Sequence, residues 1–230
     1  YKYVYTAQGT RRSMEDSLQR LGISSLDIVF IHDLSPDNAD MKEKWTEFFD
    51  VAAKGAMPEL TKMRDEGLIK GWGFGVNTIE PILKALEVSE PDIFLSATQY
   101  SLMKHEDALE RLFPAAEKHG VPLVIGAPPS AGLLAGLDRY NYGGTIPDGF
   151  IEKREKISRI AREHGTDLRT AALQFTTAPK VVSATIPGAR SAQQAKENAE
   201  SMKAKIPAEF WSALKKEKLI AGNAPEPGQA

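Results

Sequence analysis

The sequence contains no cysteine. That excludes disulfides, thiolate metal sites and a cysteine nucleophile, and it fits a cytoplasmic protein. No apolar run approaches the roughly 20 residues that cross a bilayer, and the opening Tyr1-Lys2-Tyr3 does not start a signal peptide. Charge of one sign is also lacking. Lys plus Arg number 29 against 31 Asp plus Glu, a net charge of −2, so no strong field favours nucleic acid or an anionic membrane. There is no repeat of fixed period, no low-complexity block and no linker that would split the chain. Neither G-x-G-x-x-G nor G-x-x-x-x-G-K-[ST] occurs, nor a G-x-S-x-G elbow, and the four histidines stand apart from any metal-ligand spacing. What remains is ordinary globular usage, 42% hydrophobic and 26% charged over 230 residues. A chain of that length buries roughly 70–75% of its unfolded surface.

Short apolar runs alternate with amphipathic stretches. Strands are expected near residues 28–31, 71–76, 93–98, 121–125 and 181–186. Continuous apolar runs such as Ile28-Val29-Phe30-Ile31 mark strands covered on both faces. Helices are expected over 12–21 with Ser13 as cap, then 56–66, 81–86, 106–119, 151–164, 168–176, 192–202 and 207–217. Residues 35–53 read as a long insertion, 127–147 as a Gly/Pro/Tyr-rich loop, and 223–230 as a flexible tail. Strict alternation of strand and helix means parallel strands joined by right-handed crossovers, hence one α/β unit.

Ligands of parallel α/β proteins bind at the carboxyl ends of the strands. Those ends carry His32-Asp33, Asn77-Thr78, Gln99-Tyr100, Gly126-Ala127-Pro128 and Pro187-Gly188-Ala189-Arg190. His32 can donate a hydrogen bond to a substrate oxygen or shuttle a proton; the alternative is a satisfied histidine at a strand end. His105, His119 and His164 are read as structural, at helix ends. Asn77 and Gln99 offer amides suited to recognising another amide, or, for Asn77, a helix cap. Gly188 permits close backbone approach to an anion at a helix start, and Arg190 adds a bidentate donor; an ordinary cap is the other reading. Gln194, Glu197 and Asn198 share one helix face by their spacing, which a solvated face would also produce.

These motifs, in this order, resemble the aldo-keto reductase superfamily. The resemblance rests on Asp16 to Gly22 followed by Leu26 to His32, on Gly67-Leu68-Ile69-Lys70 through Asn77, and on Gly188-Ala189-Arg190-Ser191 with Glu197-Asn198. Val124-Ile125-Gly126, Ser130 to Ala135 and Tyr140-Asn141-Tyr142 are most similar to its D-threo-aldose (L-fucose) and pyridoxal dehydrogenase branch. The resemblance implies a (β/α)8 TIM barrel binding NAD(P) in an extended pose, here represented by strands 4–8 and their helices over residues 1–222. It implies hydride transfer between nicotinamide and a sugar such as L-fucose, or an aldehyde. His32 would orient substrate, and Asn77 and Gln99 would hold the carboxamide. Gly126 takes the place where many members stack an aromatic ring. Ala127, Pro128 and Pro129 would pass the pyrophosphate, while Gly188, Ala189 and Arg190 would hold phosphate. Gln194, Glu197 and Asn198 would flank the adenosine. Gly188 and Gln194 stand where many NADP-preferring members carry lysine and arginine, which favours NAD.

The family's catalytic tyrosine, lysine and aspartate precede the histidine strand, and Tyr1, Tyr3 and Tyr5 do not sit in its tyrosine motif. With no initial methionine and five strands, the chain is expected to be incomplete at its N-terminal end, with most of the cofactor site present. A non-catalytic NAD(P)-binding relative with a sensing or regulatory role is the alternative. A third possibility is another barrel enzyme holding a sugar phosphate at Gly188–Arg190. No metal, nucleic acid or membrane partner is expected.

Overall fold

The computed structural model describes residues 3–228. Tyr1 and the last two residues of the expected tail, Gln229 and Ala230, lie outside them. The chain divides into two compact units. The first runs up to Ser96 and includes Ala115–Pro122; the second comprises Ala97–Pro114 and the chain from Leu123 onward.

In the first unit, α1 (Ala7–Leu21) starts earlier than its apolar spacing indicated. Thr6, not Ser13, is the cap, accepting from the Gly9 amide. Gly22 closes the helix in the left-handed conformation at φ 68°. β1 (Leu26–His32) follows. The segment read as an insertion contains a helix, α2 (Trp45–Lys54), which buries Phe49 and Ala52. Next come α3 (Ala56–Asp65), β2 (Ile69–Val76), α4 (Glu80–Val88) and β3 (Phe94–Ala97), whose last residue falls in the second unit. β1, β2 and β3 run parallel, with His32 opposite Gly75 and Gly75 opposite Leu95.

β2 is buried almost throughout. Its alternation of glycine with large residues fits the two-residue period of a strand. Trp72, Phe74 and Val76 fill one face, where Phe74 stacks on Phe49 at 5.8 Å. On the other face the backbone is approached closely. A Cβ on Gly73 would stand 1.6 Å from the Ile93 carbonyl oxygen.

The second unit pairs β4 (Leu123–Gly126) in parallel with β5 (Val182–Ile186). Its π-helical turn at Ala108–Leu112 leads into α5 (Phe113–His119), most of which belongs to the first unit. α6 (Phe150–Glu163), α7 (Leu168–Thr177), α8 (Ala192–Lys203) and α9 (Ala208–Lys216) complete the order. α7 is buried on all sides from Thr170 to Thr176. Its Phe175 stacks on Tyr100 at 4.9 Å and on Trp211 at 6.2 Å, an aromatic core worth more than its area alone. The segment expected to be a flexible tail is packed as far as Glu226. Ala224 is buried and Glu226 pairs with Lys215 at 2.7 Å.

The five expected strands are therefore present, three and two. A closed (β/α)8 barrel needs eight, and none is closed among the described residues. Nor does the strand order support numbering them 4–8, because consecutive parallel strands look alike wherever they stand in such a series. No helix among the described residues is long and apolar enough to cross a membrane.

Candidate functional site

Three strand ends share a local feature. The residue that follows each turn-over point adopts a left-handed backbone although it is not glycine: Asp33 at φ 52°, Thr98 at φ 64° and Ala127 at φ 57°. Such conformations cost of order 1–3 kcal/mol each and gather at functional sites, so the strand ends stay the natural place to look.

In the first unit, His32 ends β1 with its side chain largely in solvent, Nδ1 lying 3.5 Å from Asp33 Oδ2. The Tyr5 hydroxyl donates to the His32 carbonyl at 3.4 Å, and burial, with Tyr3 and Asp33 nearby, pushes the Tyr5 hydroxyl pKa well up. Asn77 Nδ2 donates to Asp37 Oδ2 at 3.0 Å. Asp37 also accepts from Ser35, which is within 3.2 Å of Thr78, so a loop residue rather than a helix cap holds the Asn77 amide.

The second unit carries a cleft of about 610 Å³. Two strand ends and one helix start build it. Ala127 and Pro129 come from beyond β4, and Gly188, Ala189 and Arg190 from beyond β5. Gln194 and Asn198 come from α8, so seven residues singled out from the sequence converge on one cleft. Ser191 caps α8 by accepting from the Gln194 amide at 3.2 Å, and the Gln194 side chain accepts from the Arg190 amide at 2.7 Å. The turn is thus held from both directions. Nothing lies within 4 Å of the place a Cβ on Gly188 would occupy, leaving room beside the backbone.

Other expected residues lie elsewhere. Gln99 is buried, its amide bound by Lys104 at 3.0 Å and Thr98 at 3.3 Å. Gly126 is the buried last residue of β4, and Pro128 is buried too. None of the three lines the cleft. Glu197 does not line it either; it pairs with Arg169, and Gln193 and Arg169 hold its carboxyl below the usual range.

The cleft also has walls that sequence reasoning missed. Arg139, Asn141 and Tyr142 come from the irregular loop before α6, and Arg169 from α7. Three arginines line the cleft and, among the described residues, no aspartate or glutamate does. Arg169 Nε and Asn141 Oδ1 are buried without hydrogen-bond partners, a donor and an acceptor that a polar ligand would satisfy. An elongated anion with polar ends suits this lining.

The sequence profile described as "Aldo/keto reductase family" matches residues 1–218. The chain belongs to that family. It is 35% identical over 225 residues to a pyridoxal 4-dehydrogenase of Microbacterium luteolum, covering 95% of this chain. It is 31% identical over 224 residues to a D-threo-aldose 1-dehydrogenase of Pseudomonas sp, again covering 95% of this chain. Both belong to the branch that the loop and strand motifs resembled. The chain spans 64% of the length of each of these relatives. Among solved structures, the holo form of an aldo-keto reductase from Bacillus halodurans superposes with a TM-score of 0.72 at 22% identity, over 99% of this chain and 69% of that one. A glycerol dehydrogenase from Gluconobacter oxydans gives 0.69 at 21% identity, over 98% and 68%. These two likenesses concern the fold.

Proposed function

We propose that this protein is an NAD(P)-dependent oxidoreductase that moves a hydride between nicotinamide and a sugar, such as an aldose of the L-fucose type, or an aldehyde. The observation that carries the reading is the cleft of the second unit, with three arginines and no carboxylate on its wall at the ends of β4 and β5. The relatives named for pyridoxal and D-threo-aldose dehydrogenation support the substrate class.

In this reading the residues of the cleft bind and orient. The β5–α8 turn, Gly188 to Arg190, receives phosphate on backbone amides and a guanidinium. Ala127 and Pro129 follow the pyrophosphate and Gln194 and Asn198 flank the adenosine, while Glu197, outside the lining, holds Arg169 in place. By motif position, Asn77 and Gln99 serve the carboxamide and His32 orients the substrate oxygen. When bound, nicotinamide supplies the hydride acceptor or donor. NAD is favoured over NADP. Gly188 and Gln194 put no cation at their places, and the Arg169 guanidinium is already engaged by Glu197.

The test is formation of reduced nicotinamide from NAD with L-fucose or pyridoxal, followed by absorbance. Turnover with either supports the proposal. Saturable NAD binding without turnover of any aldose or aldehyde would replace it with a non-catalytic NAD(P)-binding protein. Binding of a sugar phosphate but not NAD would overturn both.

A further inference from the structure

Six arginines stand on the loop before α6, on α6 and α7, and in the β5–α8 turn; Arg162 on α6 donates to Ser158, and the partners of the other five separate them. Arg154 on α6 is engaged by Asp138 at 2.9 Å and by the Leu137 carbonyl at 3.4 Å. Arg159 on the same helix is bound by Glu163 and Glu217. Arg169 is paired with Glu197. The guanidiniums of Arg139 and Arg190 make no hydrogen bond or ion pair among the described residues, yet both line the cleft.

Two unpaired like charges on one concave wall, with no carboxylate in the lining, repel each other and focus a positive potential into the cleft. The chain builds this arrangement. Arg139 follows an acid that could have neutralised it, but Arg154 holds that acid, Asp138, and also tethers Leu137. The loop is thereby anchored just before Arg139, and the guanidinium is left uncompensated. Gly132 makes room for it. A Cβ there would stand 3.4 Å from Arg139 Nη2, and Gly132 itself sits at φ 104°, where a side chain is strained.

We propose that Arg139 is a second ligand for the pyrophosphate of the dinucleotide, acting with Arg190 in the same cleft. The inference rests on the dinucleotide reading above. The two unpaired guanidiniums match the two negative charges of a pyrophosphate, while Arg169, compensated by Glu197, adds no net charge. Arg139 therefore sets affinity for every ligand that carries the pyrophosphate and has no part in recognising the 2′ position.

The experiment measures binding of NADH, NADPH, ADP-ribose and adenosine to the full chain and to its Arg139→Ala, Arg139→Gln and Arg190→Ala variants, by calorimetry with a thermal melt of each. Arg139 is exposed and unpartnered, so its variants are expected to melt like the parent. Both should weaken NADH, NADPH and ADP-ribose alike, by roughly 10-fold or more, as expected for loss of one charge-assisted contact, and leave adenosine unchanged. Three results would overturn the inference: ADP-ribose affinity unaltered by Arg139→Ala while Arg190→Ala weakens it, a loss confined to NADPH, or an equal loss for adenosine. If the parent chain bound none of the four, the dinucleotide reading itself would fall.

Discussion

His105 is fully buried, and both of its ring nitrogens are committed. Nδ1 lies 3.0 Å from the Ser101 carbonyl, and Nε2 accepts from the Ala221 amide at 3.0 Å. The ring is therefore neutral with its proton on Nδ1. It fastens the C-terminal segment to the core of the second unit. His119 and His164 do close helices, as their sequence context indicated, but His105 precedes one, and its role is burial rather than a dipole contact. Burial lowers its pKa below the ordinary 6.5, with Lys153 acting the same way and Glu106 opposing. A lowered folded pKa means that the unfolded chain takes up the proton first. The contribution to stability is thus complete above about pH 6.5 and is lost as pH falls through the folded value. Thermal melts across that range should show a midpoint that drops on acidification. His105→Ala should cost about 2–4 kcal/mol at neutral pH and flatten the dependence. A parent whose midpoint is constant over the same range would contradict the account.

Residues legible in the sequence were those whose position is set by a strand end. Ala127, Gly188, Ala189 and Arg190, which line the cleft, all follow short apolar runs, and such runs have few alternative registers. Arg139 was invisible for the opposite reason. It lies in a stretch of glycine, tyrosine and asparagine where no periodicity links a residue to its neighbours in space. Arg169 opens a helix whose other residues are mostly buried, and nothing along the chain links it to Glu197.

At the scale of elements, the strands were readable to within two residues and most helix starts to within one, with α1 and α2 the exceptions. Trp45, Phe48, Phe49 and Ala52 have the i, i+3, i+4, i+7 spacing of a helix, so α2 was legible although its surroundings suggested an insertion. The early start of α1 was not. Its first turn holds Gly9 and Thr10, poor helix formers, and tertiary contacts decide there. Two glycines make opposite predictions about elements. Gly73→Ala drives a Cβ into the Ile93 carbonyl and should destabilise the first unit by at least about 3 kcal/mol, read by thermal or denaturant unfolding. Gly188→Ala meets nothing, so stability should stay within about 0.5 kcal/mol of the parent. NADH affinity should nevertheless fall several-fold, because the added methyl occupies the space that phosphate needs beside the β5–α8 turn. Unchanged affinity in Gly188→Ala would remove phosphate from that turn.

At the scale of the molecule, membership of the family was legible because several weak motifs stood in a fixed order, none of which would have decided it alone. The division into two compact units was not legible, since no linker or compositional break marks it. The central claim belongs to the second unit, whose cleft is lined by seven residues named from sequence and by arginines that only the fold brings in. A calorimetric titration of NADH into the parent chain and into Arg190→Ala tests it most directly. One saturable site, weakened roughly 10-fold or more in Arg190→Ala, is the predicted result. An absence of binding in the parent, or an affinity that Arg190→Ala leaves untouched, would contradict it.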